Sequence, residues 1–163
     1  MTRRATAFGL AACLWLWAPG FAGADVTLTV TPLRGGRDID FGNARSMGPE
    51  GEPAPAMDTL QQVQVAVNST TTNRYQVFIR INDRWRNLAG EELPMENVQF
   101  FISDAGAGAT VRFPNPTAMA LGEQEILQSD QSEAFLITFI VRVPHGQQAG
   151  DYRTTLSFRV VSQ

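Results

Sequence analysis

Hydrophobic and polar residues alternate along most of the chain. In "DVTLTVTPL" (25–33) Val26, Leu28 and Val30 fall on one side and Thr27, Thr29 and Thr31 on the other, the period-two pattern of a half-buried strand. "RDIDFG" sets Ile39 and Phe41 against Asp38 and Asp40 and predicts a short second strand closed by Gly42. Residues 48–57, "GPEGEPAPAM", have almost nothing to bury and predict a mobile loop. Alternation resumes with Val63, Val65 and Val67, then Tyr75, Val77, Ile79 and Ile81. The polar "STTTN" between them predicts that the two strands form a hairpin.

Further on, "RWRNLAGEELPMEN" carries turn signals, "VQFFIS" alternates, and "DAGAGAT" reads as a strand connection. "EQEILQS" fits either a strand or one turn of helix. In "EAFLITFIVRVP" Phe135, Ile137, Phe139, Val141 and Val143 share a face while Leu136 and Ile140 make the reverse face apolar too, so this strand is central or covered by another layer. The closing stretch puts Tyr152, Leu156, Phe158 and Val160 inward and Arg153, Thr155, Ser157 and Arg159 outward; its expected partner is 134–143. Eight or nine short strands without an amphipathic helix predict an all-β sandwich.

The N-terminus departs from this pattern. Arg3 and Arg4 precede an apolar run from Ala5 to Trp17, a Pro19-Gly20 break and Ala22-Gly23-Ala24, the three parts of a secretory signal with cleavage expected after Ala24. The run falls short of the roughly 20 apolar residues of a membrane helix. A competing reading takes "LAAC" (10–13) as a lipoprotein site with Cys13 acylated, but too few residues separate Arg4 from Leu10 and the chain stays apolar beyond the cysteine. Residues 25–163 then form one domain of ordinary size. That domain contains no cysteine, so its core holds by packing alone. Every basic residue is arginine, and removing Arg3 and Arg4 leaves 11 against 16 acids, a net charge of −5. Scattered arginines on an acidic chain argue against nucleic acid as a partner.

Catalytic and metal-binding signals are sparse. His145, in "PHGQQAG", is the single histidine and reads as a solvated turn residue, with no serine or acid motif pointing to it. Glu91, Glu92 and Glu96 read as solvating charge rather than the facing carboxyls of a glycosidase. Asp38 and Asp40 share a strand face and offer two oxygens to calcium, which takes roughly six to eight; they read equally as edge protection. No cofactor is expected. Trp85, flanked by Arg84 and Arg86, is either a recognition residue, with Tyr75 or the 104–110 loop, or a cap on the open end of the sandwich. Gly150 two residues before Tyr152 has the spacing of a tyrosine corner, a structural hydrogen bond from the phenol to upstream backbone.

Three stretches carry a family resemblance: "DIDFG" (38–42), "VQVAVNSTTTNRYQVFI" (63–79) and "AGDYRTTLSFRV" (149–160). In order and spacing they resemble secreted bacterial immunoglobulin-like domains of the spore coat protein U and fimbrial-subunit type. Those domains usually place a cysteine at the end of the strand matching "VQVAV", where this chain has Val67 and Asn68. The resemblance implies an immunoglobulin-like β-sandwich of about seven to nine antiparallel strands and a non-enzymatic, exported structural or adhesive surface protein, a pilin-like subunit among the options. Its partners would be other surface or periplasmic proteins or further copies of itself, its location the periplasm, outer surface or medium. The alternative is a secreted module that binds carbohydrate or protein through Trp85 and neighbouring loops.

Overall fold

The computed structural model describes residues 26–33, 60–70, 73–148 and 150–163. The expected leader with Cys13, the strand at 38–42 with Asp38 and Asp40, and the loop at 48–57 lie outside the described residues. Eleven strands follow in chain order: β1 (Val26–Pro32), β2 (Leu60–Ser69), β3 (Tyr75–Ile81), β4 (Trp85–Arg86), β5 (Glu92–Leu93), β6 (Val98–Ser103), β7 (Thr110–Val111), β8 (Thr117–Ala118), β9 (Gly122–Ser129), β10 (Glu133–Val141) and β11 (Leu156–Ser162). The only helical element among the described residues is a single 3-10 turn at Met95–Asn97; no helix there is long and apolar enough to cross a membrane.

The protein is all-β, with antiparallel pairing throughout. One sheet has the order β1-β2-β10-β6-β8, a second β11-β3-β9-β7, and β4-β5 forms a small ribbon. The alternation has a direct physical outcome. Val63, Val65 and Val67 of β2, Phe135, Ile137 and Phe139 of β10, and Val98, Phe100 and Ile102 of β6 point to the same interior as Val77, Ile79 and Ile81 of β3. Burial of these side chains, each contributing about 1.5–3 kcal/mol, is what holds two sheets together in a domain without disulfides. The Phe100 ring sits 5.0 Å from that of Phe113 and 6.5 Å from that of Phe139.

Two pairings differ from those read in the sequence. β2 and β3 do not form a hairpin: β2 pairs with β1 and β10, and β3 with β11 and β9, so the two strands belong to different layers. Likewise β11 pairs with β3, whereas residues 133–141 pair with β2 on one side and β6 on the other. Strands of both layers point alternate residues into the same core, so periodicity reports which face is inward and not which strand is next. A short connection bridges the roughly 10 Å between layers as readily as it closes a hairpin. The final connection is therefore a crossing as well, and β11 stands at a sheet edge, next to β1 across the layers.

β10 is the middle strand of its sheet, which accounts for its apolar character on both faces. The ambiguous "EQEILQS" is strand. Register against β3 shifts between Val77 and Phe78, leaving Ile126 and Leu127 both fully buried, and Arg112 N–H donates to the Ile126 carbonyl at 3.0 Å. This bulge is what interrupts the alternation there.

Candidate functional site

Trp85 closes one end of the layers. After β3 the chain turns at Asn82, whose side chain donates to Ser157 Oγ at 3.0 Å and whose N–H donates to Thr155 O at 3.2 Å. It then enters the β4–β5 ribbon. Asn87 Oδ1 accepts from the backbone N–H groups of Ala89 and Glu91, at 3.0 and 2.9 Å, and so reverses the chain. The ribbon sets Trp85 opposite Leu93; the two are 7% and 4% exposed and belong to the core. Arg84 and Arg86, the neighbours of Trp85, point outward and converge on Glu92: Arg84 Nη1 lies 2.8 Å and Arg86 Nε 2.9 Å from its oxygens. Their hydrogen bonds, Arg84 first and then Arg86, hold the Glu92 carboxyl below its ordinary range. Between solvated partners such pairs add little to stability.

The segment before β11 is fastened to this ribbon. Arg86 N–H donates to Arg153 O at 3.2 Å and Arg153 N–H to Arg86 O at 2.9 Å. Tyr152 Oη donates to the Gln148 carbonyl at 2.7 Å, a phenol-to-upstream-backbone bond of the corner type, and accepts from Gln147 Nε2 at 2.6 Å. Gln147 Nε2 also reaches the Glu92 carbonyl at 3.1 Å. A net contribution of about 1 kcal/mol is typical of one such bond. Gly150 passes so close to Asn87 that a Cβ would lie 3.0 Å from its Nδ2, so a larger residue fits only if the Asn87 side chain shifts by a few tenths of an ångström.

Tyr75 lies at the other end. It begins β3 and Ile81 ends it, so the strand separates Tyr75 from the Trp85 end by about 20 Å. Tyr75 is fully buried and donates to the Gln131 carbonyl at 2.6 Å. Burial, more than the nearby Glu133 charge, raises the phenol to a pKa of about 12. Neither Trp85 nor Tyr75 therefore offers a ring face to a ligand, and the two are not brought together. At the Tyr75 end the 104–110 loop is moored by Glu133, 7% exposed, whose carboxylate accepts from Gly106 N–H at 2.9 Å and Ser129 Oγ at 3.0 Å. A Cβ on Gly106 would stand 2.7 Å from Glu133 Oε2. The sequence held a signal for this residue: extending the inward face of β10 back from Phe135 places Glu133 on it, an acid that must find donors in the interior.

His145 is exposed in the turn where Gln147 N–H returns to Pro144 O at 3.2 Å. Glu91 and Glu96 are exposed. Among the described residues no three His, Cys, Asp or Glu side chains are grouped to hold a metal ion.

The outer faces of the two sheets differ in kind. On the β11-β3-β9-β7 sheet Arg159 forks onto Glu123, Nε at 3.0 Å and Nη2 at 2.7 Å, with its guanidinium 4.8 Å from the Phe78 ring centre. The Arg159 hydrogen bond lowers the Glu123 pKa. Glu125 takes Arg112 Nη2 at 2.7 Å and Gln76 Nε2 at 2.8 Å. A shallow open depression of about 490 Å³ lies here, lined by Arg80, Asn82, Glu123, Ser157, Phe158 and Arg159. The outer face of the β1-β2-β10-β6-β8 sheet, in contrast, presents threonine, glutamine, alanine and large apolar side chains. No protein-family model and no curated protein matches the chain.

Proposed function

We propose that this is an exported, non-enzymatic structural or adhesive surface protein that acts by assembling with copies of itself or with other surface proteins. The observation that carries the reading is the three-part N-terminal pattern placed directly ahead of a cysteine-free, all-β domain. The fold is proposed to be immunoglobulin-like. The β1-β2-β10-β6 order, in which a late strand is inserted between two earlier ones, matches the arrangement of the four-stranded immunoglobulin sheet, and the Tyr152 bond adds a corner of the same kind. β11, at its edge, pairs among the described residues only with β3, so assembly by strand addition is compatible with the fold alongside contact between faces. The ligand-binding alternative loses its basis in Trp85 and Tyr75, which are buried at opposite ends.

Export is tested by expressing the full chain in a bacterial host and taking the mass of the product outside the cytoplasm. The expected product begins at Asp25. A full-length chain confined to the cytoplasm would contradict the proposal, and a product beginning at Cys13 with an added lipid mass would replace the soluble form with an anchored one.

A further inference from the structure

We infer that the outer face of the β1-β2-β10-β6-β8 sheet is a self-association surface on which a second copy of this chain packs face to face. The inference deepens the assembly reading and rests on it. Every outward-facing position of these five strands is uncharged, in a chain that is 18% charged. The opposite sheet carries Arg80, Arg112, Arg159, Glu123 and Glu125 outward, so charge is partitioned between the faces rather than spread over both. A sheet face meant for water normally carries charge, and the want of it on all five described strands of this sheet marks a surface meant to be covered.

The centre of the face is suited to losing its water. Thr138, in the middle of β10, is 4% exposed although it points outward, and its hydroxyl accepts from Gln62 Nε2 at 3.2 Å. Around it lie Leu136 and Ile140 on the same strand, Phe101 on β6 and, at 39% exposure, Leu60 on β2. The central hydroxyl thus already has a partner within the sheet, so covering it does not cut it off from every hydrogen bond. Charge returns one residue beyond β10, at exposed Arg142, which puts it on the rim.

The chemistry selects the occupant. An ionic partner would lose hydration against a face with no counter-charge. A sugar ring would need several exposed aromatic planes, and this face offers one half-buried ring, Phe101. A second copy meets neither difficulty. Amides and hydroxyls both donate and accept, so a two-fold axis through the face matches it to itself. The domain's net charge of −5 opposes close approach of copies elsewhere, and least of all here. The five strands, from two residues in β8 to ten in β2 and about 4.8 Å apart, give about 500 Å² per copy, near the lower bound for a specific interface. The pair is therefore weak and dissociates on dilution.

Sedimentation velocity of the exported protein across a micromolar dilution series tests the inference. Wild type is expected to shift from dimer to monomer on dilution. Gln64→Glu and Ala134→Glu, at exposed positions of this face, are expected to remain monomeric with unchanged circular dichroism and melting midpoint, whereas Ser157→Glu on the opposite sheet dimerises as wild type does. Wild type that associates equally well with either of the first two substitutions would overturn the assigned face and leave the assembly reading standing. Wild type that is monomeric at every concentration would overturn the self-association surface and remove the self-assembly arm of that reading with it.

Discussion

Replacing Phe100 by alanine is expected to lower the unfolding free energy by about 3–5 kcal/mol, while Phe101→Ala, one residue further on, costs roughly 1 kcal/mol. The two side chains are chemically identical and adjacent. Phe100 points inward, is fully buried and touches the rings of Phe113 and Phe139, so truncation removes a large apolar side chain and leaves a cavity that both layers line. Phe101 lies opposite Thr138 on the outer face and is half-buried. Urea unfolding of the two variants measures the difference. Comparable losses, or a larger loss at Phe101, would mean that β6 is slipped by one residue, since a single step exchanges the faces of every side chain on a strand. Phe101→Ala is expected instead to weaken association of the chain with itself.

Alkaline pH is expected to destabilise the protein through Tyr75. The phenol ionises near pH 10 when unfolded and at about 12 when folded. Below pH 10 both states hold the proton and the stability tied to this group is fully present. As pH rises from 10 to 12 the unfolded chain loses the proton first, so folding has to retain a proton the solvent favours removing, and stability falls across that window. The cause is mainly burial, with the neighbouring Glu133 charge acting in the same direction. Melting midpoints of wild type and Tyr75→Phe measured from pH 9 to 12 test this. The wild-type curve is expected to fall more steeply above pH 10. Parallel curves would show that the Tyr75 hydroxyl is reached by water in the native protein. At neutral pH the variant is also expected to lose about 1–3 kcal/mol, because the Gln131 carbonyl is left without the phenol that donates to it.

Much of the fold is legible in the chain because burial imposes a period of two. The faces of Val63 to Val67, Tyr75 to Ile81, Phe135 to Val141 and Leu156 to Val160 follow from alternation alone, as does the central place of a strand apolar on both sides. Strand partners do not follow, because both layers address one interior. The β2–β3 crossing and the β3–β11 pair therefore needed the structure. The last strand closes onto β3 at a sheet edge and not onto residues 133–141. The bulge in β9 hid a strand by placing Ile126 and Leu127 on one face. Glu133 was legible in principle, but a single acid at the head of an apolar strand gains meaning only when the Gly106 N–H and Ser129 hydroxyl are seen to converge on it. The burial of Trp85 depends on Leu93 arriving opposite it through the Asn87 turn, a contact that residue spacing does not announce.

The two outer faces are where the fold meets the proposed role. Both belong to antiparallel sheets, yet one ties its charges into Arg159–Glu123 and Arg112–Glu125 pairs and the described strands of the other point no charge outward. Deleting the coding sequence from its native cell, and scoring adhesion and surface structure, tests the proposed surface role. Both are expected to be lost on deletion, to be restored equally by wild-type and His145→Ala chains, and not to be restored by a chain lacking residues 3–24. Adhesion and surface structure unchanged by the deletion would contradict that role, as would restoration that depends on His145.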